Sequence, residues 1–309
     1  MEERVYGVVP SPLDERDYKA REHIAMGVRP QAYYPKVIAP ILNQGQIGSC
    51  VAHAMSTMKW YQEYEERKGS FELSTDFFFH NRKPTDWQGD GMIPREACAN
   101  LVEDGGVLRH KLPTNTKYPN SDIKAIVDEL KGATDFHGEK YVRCKTKDEI
   151  CEAIYQYKAV IVVIPVYSSF NAFRNRTSDN NTLPIPTEKE NFFGYHAICG
   201  IGYDEEGILV QNSWGTNWGQ YGTAKIPYDY PISECWGVID RMKNWDIIEL
   251  GVGSTKATVN GVEKTLDAPA TIMNSRTMVP LRFISEALGC DVEWLEKERK
   301  VVIRKEKKE

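Results

Sequence analysis

The sequence predicts an α+β fold in which helices come first and strands follow, with a smaller unit near the C-terminal end. Apolar residues recur at helical spacing between positions 51 and 67 and again between 146 and 158. From Ala159 onward the pattern changes to the continuous or alternating apolar runs that are typical of strands. Helices segregated from a sheet in this way predict a helical half and a β-rich half with a cleft between them.

Composition limits the classes of partner that we expect. The 309 residues are 41% apolar and 27% charged, which suits a soluble globular protein of one large domain and one smaller one. The formal net charge of −5 gives no electrostatic reason to expect a nucleic acid or an anionic membrane as partner. The longest apolar run, Ala159 to Pro165, is too short for a transmembrane segment. The acidic N-terminus predicts no secretory signal peptide.

Residues 1–43 are rich in proline and charge, which predicts an extended arm. The composition favours an arm packed across the surface of the following domain. The alternative is a short arm that covers the cleft.

The stretch from Gln44 to Cys50 leads into the first predicted helix, which runs from Val51 to about Arg67. We expect Ser49 to cap this helix and Gly69 to end it. Cys50 then lies in the first turn, where free backbone N–H groups and the helix dipole favour a thiolate. The alternative is a packed, unreactive free cysteine, which is the commoner fate of a cysteine at a helix start.

The helices that follow are marked by their first residues. Ser74 is predicted to cap the helix that carries three consecutive phenylalanines, and Pro94 opens a helix that ends before Gly105. Thr146 and Glu149 form a capping box for a later helix. Residues 120–132 are predicted to form another helix. Residues 168–191 are predicted to form a long loop, which is either a solvent-exposed surface loop or a lid or wall of the substrate-binding site.

His196 and Asn212 lie on two predicted strands that are joined by a turn at residues 204–207. A simple hairpin closed at that turn would place these two side chains on opposite faces, because side chains alternate along a strand. A bulge, or extension of Asn212 beyond the end of its strand, is required to bring them together.

Three motifs together resemble the papain-like cysteine peptidases over about residues 10–245. They are Gln-Gly-x-x-Gly-Ser-Cys, a later His-Ala followed by an apolar strand, and Asn-Ser-Trp-Gly-x-x-Trp-Gly. The resemblance implies the papain-like fold of two subdomains around a cleft, with no cofactor and no metal. It implies the following roles: Cys50 as nucleophile, His196 as base and acid, Asn212 as the residue that orients the histidine, Gln44 as oxyanion-hole donor, and Ala197, Trp214 and Trp218 as supporting residues, with Trp214 shielding the His–Asn hydrogen bond.

The same resemblance implies that the loop at Gly91 and Met92 lines the substrate cleft and offers backbone hydrogen bonds. Gly91 fits the pattern of the family, whereas Met92 stands where a second glycine is expected, so the neighbouring subsite is expected to be narrower or altered. His53, one turn from Cys50, is too constrained to be the base and is expected to pack or to form a hydrogen bond. The seven cysteines are expected to be mostly reduced and buried, and their spacing does not suggest a zinc site.

The sequence pattern changes near residue 250, where short strand and turn signals predict a second, small α+β domain. Residues 250–255 are a linker candidate, Asn260-Gly261 marks a hairpin, residues 277–289 read as a short helix, and two strands follow. The segments Val-Pro-Leu-Arg-Phe-Ile and Glu-Ala-Leu-Gly resemble the domain named for the N-terminus of copper amine oxidases. This stretch contains no histidine, so we expect no copper. We expect a module that binds cell wall or a second copy of the chain; the alternative is a domain that only completes the fold.

The predicted organisation is therefore an arm at residues 1–43, a peptidase domain at 44–248 and a small domain at 249–309. The predicted function is a cysteine endopeptidase that forms a thioester acyl-enzyme on a protein or peptide substrate. Two alternatives stay open: a peptidoglycan peptide-bond hydrolase, and a non-catalytic binding protein that retains the fold. The C-terminal resemblance favours an extracellular or cell-envelope location, with the cytoplasm as the alternative.

Overall fold

The structure is a computed structural model that describes residues 5–15, 17, 19–82, 90–114, 121–173, 181–240 and 248–305. The chain divides into two compact units, Met1–Met242 and Lys243–Glu309. In the described part of the chain, each helix is too short or too polar to cross a bilayer.

The first unit combines helices with one antiparallel sheet, as predicted, so the α+β class is confirmed. Its helices are α1 (Cys50–Arg67), α2 (Thr75–His80), α3 (Pro94–Glu103), α4 (Ser121–Leu130), α5 (Lys147–Tyr157) and α6 (Ser168–Ala172). Its strands are β1 (Gly138–Arg143), β2 (Val160–Tyr167), β3 (Phe192–Tyr203), β4 (Gly207–Gln211), β5 (Thr223–Pro227) and β6 (Glu234–Asp240), in the sheet order β1-β6-β2-β3-β4-β5.

The sheet is covered on both faces, which explains the continuous apolar run in β2. Ile161 and Val163 belong to one core, which they share with α1. Val162 and Ile164 belong to a second core, which they share with α5. A strand that is buried on both faces has no solvent side and needs no polar alternation. The site described below is carried by α1 and by β3, the neighbour of β2.

Helix α1 is buried well beyond the apolar stripe that its sequence predicts, and two of its buried polar side chains have partners inside the protein. Lys59 is 0% exposed, and its ammonium lies 2.7 Å from the Glu63 carboxylate. The side-chain amide of Gln62 donates to the carbonyl of Val238 at 2.7 Å. Because these buried polar groups have partners, the helix can cross the middle of the unit and hold its first residue rigidly.

Helix α1 ends at Arg67 as predicted, but both of its predicted caps are wrong. Ser49 occupies the N-cap position but makes no side-chain cap, because its hydroxyl lies 3.2 Å from the ring of His53. At the other end Lys68, rather than Gly69, adopts the left-handed conformation (φ 54°). The predicted caps of α2 and α5 are confirmed, with Ser74 accepting from the Phe77 N–H and a complete capping box at Thr146.

The β3–β4 hairpin contains the bulge that the sequence required. Gly202 pairs with Leu209, whereas Cys199 pairs with Gln211, so β3 has one extra residue between the two pairs. This extra residue changes which side chains share a face. Asn212, directly after the end of β4, is thereby on the same face as His196. Both of the features that the sequence analysis considered, the bulge and the extension of Asn212 beyond the strand end, are therefore present.

The predicted loop at residues 168–191 begins as a helix, α6, so the prediction of an uninterrupted loop is wrong there. Its residues 174–180 lie outside the described residues, and further along Leu183 donates a backbone hydrogen bond to Lys225 of β5. All seven cysteines are among the described residues, and all are free thiols; six are buried and Cys290 is half-buried.

The second unit has strands β7 (Ile248–Leu250), β8 (Lys256–Val259), β9 (Val262–Thr265), β10 (Thr271–Met273), β11 (Arg276–Met278), β12 (Asp291–Leu295) and β13 (Lys300–Arg304), and helix α7 (Leu281–Ala287). The hairpin at Asn260-Gly261 and the pair β12–β13 are confirmed. Leu250 pairs with β8 and so is not linker. The predicted helix starts late, at Leu281, because residues 276–278 pair with β10 instead.

His53 is expected to make the protein less stable in acid. The buried imidazole is difficult to protonate. Burial, and to a smaller extent the positive charge of Arg109, lowers the pKa of the imidazole to about 4. In the unfolded chain the imidazole titrates near 6.5, so the unfolded state binds more protons between these values. By linkage, His53 contributes about 3 kcal/mol to the free energy of unfolding. This contribution is complete above pH 6.5 and is lost as the pH falls toward 4.

Urea unfolding at pH 7 and pH 4.5 measures this effect. His53→Gln keeps a polar side chain but does not titrate, so its free energy of unfolding should fall less between the two pH values than that of the parent. His110→Gln, at an exposed position, is the control. Equal acid sensitivity of the parent and His53→Gln would contradict the prediction.

Candidate active site

Cys50 is the first residue of α1, and its thiol is completely buried. Burial has the largest effect on the thiol and raises its pKa; hydrogen bonds with the backbone of Ala197 and Gly7 act in the opposite direction. A hydrogen bond that lowers a thiol pKa must be donated to sulfur, so the donors are the two N–H groups. The expected low pKa at a helix start is therefore not observed in this state, because the sulfur is cut off from water.

The sulfur therefore lies beside the backbone of the residue that follows His196. The Nε2 atom of His196 lies 2.8 Å from the Oδ1 atom of Asn212, and both side chains are buried. The Trp214 ring covers this pair, with its centroid 4.7 Å from that of the imidazole. Trp218 packs behind Trp214 at 6.4 Å. The structure thus brings α1, β3 and the segment after β4 together at one place.

Gln44 joins the segment before α1 to the segment after β4. Its backbone N–H donates to the Ser213 carbonyl at 2.9 Å, and the Ser213 hydroxyl donates to Oε1 of Gln44 at 2.7 Å. The Nε2 atom of Gln44 donates to the Ile47 carbonyl at 2.8 Å. Ser213 therefore fixes which end of the carboxamide points toward the N-terminus of α1. The sequence motif contains Ser213 but did not predict a role for it. Its position directly after Asn212 is the feature that could have indicated one.

Gly91 and Met92 contact the chain's own N-terminal segment. The Met92 N–H donates to the Gly7 carbonyl at 2.8 Å, and the Val9 N–H donates to the Met92 carbonyl at 3.0 Å. Gly91 has φ +121° and lies against the same segment. Gly7 has no space for a side chain, because an added Cβ would lie 1.8 Å from the carbonyl oxygen of Gly48.

The N-terminal segment combines the two arrangements that the sequence left open: one part covers the cleft, and another part packs on the surface of the unit. Residues 6–9 lie in the cleft over Cys50, which is the alternative that the composition did not favour. Further along, Asp17 pairs with Arg95 at 2.6 Å, and the backbone of Ser11 donates to Glu234 at 2.7 Å, so this part is fixed to the surface of the unit. Local composition carries no information on such long-range contacts.

His53 has the hydrogen-bonding role that its position suggested. Its Nδ1 lies 2.9 Å from the Ser49 carbonyl oxygen, within its own helix turn. Among the described residues, one group of three carboxylates has metal-like spacing, namely Glu63, Glu66 and Asp240. Lys59 pairs with Glu63 and Asp240, and Arg67 pairs with Glu63, so the carboxylates belong to an ion-pair cluster.

Comparison with known proteins agrees with this geometry. Residues 29–237 match the family described as papain family cysteine protease, and residues 237–303 match the copper amine oxidase N-terminal domain. An uncharacterized peptidase C1-like protein of Acanthamoeba polyphaga mimivirus is 26% identical over 223 residues, which are 65% of this chain and 68% of that protein. Cysteine proteinase 2 of Zea mays is 26% identical over 62% of this chain and 52%, about half, of its own length.

Solved structures show the same fold. Xylellain, a cysteine protease from Xylella fastidiosa, superposes with a TM-score of 0.59 at 20% identity, over 77% of this chain and 98% of its own. The cysteine protease and lectin-like domains of Cwp84, a surface layer associated protein of Clostridium difficile, superpose with a TM-score of 0.60 at 19% identity, over 83% of this chain and 61% of that one. The predicted papain-like fold is confirmed, and the chain belongs to the papain family of cysteine proteases.

Proposed function

We propose that this chain is a cysteine endopeptidase that cleaves peptide bonds through a thioester formed on Cys50. The observation that carries the proposal is the buried His196–Asn212 hydrogen bond beside the sulfur at the N-terminus of α1. The family match supports the reaction class. A solely structural protein has no need for a thiol, an imidazole and a carboxamide assembled from three distant segments.

His196 is the base and the acid in this scheme. Asn212 accepts a hydrogen bond from Nε2–H, which leaves Nδ1 to take the proton of the Cys50 thiol. The sulfur adds to the carbonyl carbon, the C–N bond breaks, and His196 returns the proton to the departing amine. Water then attacks the thioester; His196 takes a proton from that water and gives it to the sulfur as the acid product leaves.

Gln44 and the backbone N–H of Cys50 are the proposed donors to the oxyanion. Ser213 holds the Gln44 carboxamide by its oxygen, so the amide nitrogen is directed away from Ser213. In the resting structure this nitrogen donates to Ile47, and a substrate oxyanion would replace that carbonyl as its acceptor. Donors of this kind act on charge that develops only in the transition state.

Gln44→Ala is expected to lower kcat by about 100- to 1000-fold with little change in KM, the usual effect of losing one oxyanion donor. Initial-rate kinetics on a fluorogenic peptide measure both constants. Gln46→Ala, an exposed glutamine in the same loop, is the matched control and should retain parental kinetics. A large rise in KM at constant kcat would assign Gln44 to substrate binding instead.

The substrate class decides between this proposal and the peptidoglycan alternative, which the comparisons do not favour. We expect the protein to cleave casein and to leave purified cell wall intact when the two are digested side by side. Peptide products from casein that disappear after alkylation of the thiol would support the endopeptidase. Release of wall peptides without casein cleavage would favour the lysin-like alternative.

For the second unit we propose a binding or association role at the cell envelope. Several of its large apolar side chains are exposed, among them Ile272 (65%), Met273 (60%) and Trp294 (46%). Exposed apolar side chains in a small unit are typical of an interaction surface. The full chain should sediment with purified cell wall, or elute as a dimer in size-exclusion chromatography with light scattering. A monomer that does not bind wall would contradict this role.

A further inference from the structure

Cys144 and Cys235 lie opposite each other on two neighbouring strands that carry none of the candidate active-site residues. Cys144 directly follows β1, and Arg143 of β1 pairs with Trp236 of β6. Cys144 therefore continues this ladder opposite Cys235, and its backbone N–H donates to the Cys235 carbonyl at 2.9 Å. Directly opposite residues of antiparallel strands have Cα atoms about 4.5–5.5 Å apart. A disulfide bridges Cα separations of about 4.4–6.8 Å, so the backbone is already in position for one.

The side chains of Cys144 and Cys235 share one face of the sheet. Both belong to the core that the sheet forms with α5. Both are buried, with 4% of Cys144 and 1% of Cys235 exposed. Burial, and to a smaller extent a side-chain hydrogen bond with Cys144, raises the pKa of the Cys235 thiol. The two thiol groups are therefore in direct contact in the reduced protein.

A cavity of about 720 Å³ gives small molecules access to the two thiols, because both cysteines form part of its lining. Ile150 and Ile208 supply apolar surface to the same lining. Exposed charged side chains of both signs also line it, namely Glu15, Lys145 and Lys147. Cavities of roughly 300–1,000 Å³ accommodate small-molecule ligands. The mixture of charges suits a small zwitterionic molecule.

Cys151, on α5, is a third thiol of this core, but it has a different partner. Its sulfur lies 3.4 Å from the hydroxyl oxygen of Tyr228. In the part of the chain that the structure describes, Cys144, Cys151 and Cys235 do not form a group with the spacing of a metal site. The arrangement is therefore a pair of thiols, and the chemistry that suits such a pair is oxidation to a disulfide.

We propose that Cys144 and Cys235 are a redox-active dithiol site, which a low-molecular-weight zwitterionic disulfide such as glutathione disulfide oxidises to an intramolecular bridge. The thiolate of Cys144, the more exposed of the two, attacks one sulfur of the small disulfide, and the other sulfur leaves as a thiolate. The thiolate of Cys235 then attacks the Cys144 sulfur of this mixed disulfide, and the second small thiol leaves. Two electrons and two protons pass from the cysteines to the oxidant, which becomes two small thiols. The step requires no peptidase activity.

The bridge would close a loop from residue 144 to residue 235, and this loop includes His196 and Asn212. A bridge across a long loop stabilises a protein mainly by restricting the unfolded chain. We therefore expect the oxidised protein to unfold at a urea concentration about 1 M higher than that of the reduced protein. The segment that carries the His196–Asn212 pair would gain this resistance without any new contact at the site.

The test uses the full-length Cys50→Ala chain, so that the candidate nucleophile does not react. The folded protein is equilibrated with glutathione disulfide, the remaining thiols are alkylated in urea, and a non-reducing digest is analysed by mass spectrometry. We expect the Cys144 and Cys235 peptides to be linked in most chains, with two glutathione molecules released for each bridge. Cys290, which is half-buried, should carry glutathione and so reports that the oxidant was active. Glutathione on Cys290 with Cys144 and Cys235 both alkylated would overturn the proposal, as would a bridge from Cys151 to either of them.

Three variants in the same background test the assignment of each thiol. Cys144→Ala should lose both the bridge and the rise in the urea midpoint. Cys235→Ala should instead accumulate glutathione on Cys144, because the thiol that resolves the mixed disulfide is missing. Cys199→Ala, at another completely buried thiol, on β3, is the matched control and should keep both the bridge and the shift. An unchanged oxidation-dependent shift in Cys144→Ala would contradict the proposed pair.

Discussion

Replacing Cys50 with alanine is expected to lower peptide hydrolysis by about a millionfold, to the limit of detection. In the proposed reaction this sulfur attacks the carbonyl carbon, and water cannot replace a nucleophile that is fixed at the start of α1. The fold should persist, because one buried thiol is exchanged for a methyl group. The N–H groups of Ala197 and Gly7 lose their shared acceptor, which should cost about 1 kcal/mol.

Cys98→Ala is the matched control, since Cys98 is also a completely buried free thiol but lies on α3, away from the site. Both variants should give similar free energies of unfolding in urea, whereas only Cys50→Ala should lose activity toward a fluorogenic peptide. Substantial activity in Cys50→Ala, or loss of activity in Cys98→Ala, would mean that the nucleophile has been assigned to the wrong residue.

His196→Ala is expected to reduce kcat/KM by about 10,000-fold or more, because in the proposed reaction His196 is the base in one step and the acid in the next. Asn212→Ala should have a smaller effect, about 10- to 100-fold, which corresponds to one hydrogen bond to a group that becomes charged. Trp214 still holds the imidazole from one face in that variant, since their ring centroids are 4.7 Å apart.

Initial rates across pH 5 to 9 for both variants measure these effects. His137→Ala, at a half-buried imidazole that contacts Thr134, controls for the loss of a histidine and should retain activity. Equal losses in His196→Ala and Asn212→Ala would show that Asn212 does more than orient the ring. An unchanged rate in Asn212→Ala would remove it from the site.

Features that depend on residues close in sequence were predictable. The capping box at Thr146 and the cap at Ser74 each need only a polar side chain three residues before an N–H. The α+β class followed from the change of apolar period near Ala159. The candidate site was predictable for a different reason: each of its three motifs carries its own residue pattern, although they come together only in the folded chain.

Features that depend on register and long-range packing were not predictable in detail. The need for a bulge was clear from the sequence, but its position between the Gly202 and Cys199 pairs depends on how the whole hairpin packs. Ser49 had the right side chain for a cap, but a histidine one turn later takes its hydroxyl. The position of Gly7 depends on its contact with Gly48. These residues are far apart in sequence, and the residues adjacent to each of them do not predict the contact.

The covalent attachment of the N-terminal segment has a consequence for how the resting state responds to dilution. Asp17 is held by Arg95, so only a short stretch of chain is free to leave and re-enter the cleft. Re-entry of such a tethered ligand is a unimolecular step, with an effective concentration on the order of millimolar for a short flexible connection. Coverage of Cys50 by residues 6–9 should therefore be the same at nanomolar and micromolar protein, so the rate constant for alkylation of the Cys50 thiol should not change with protein concentration.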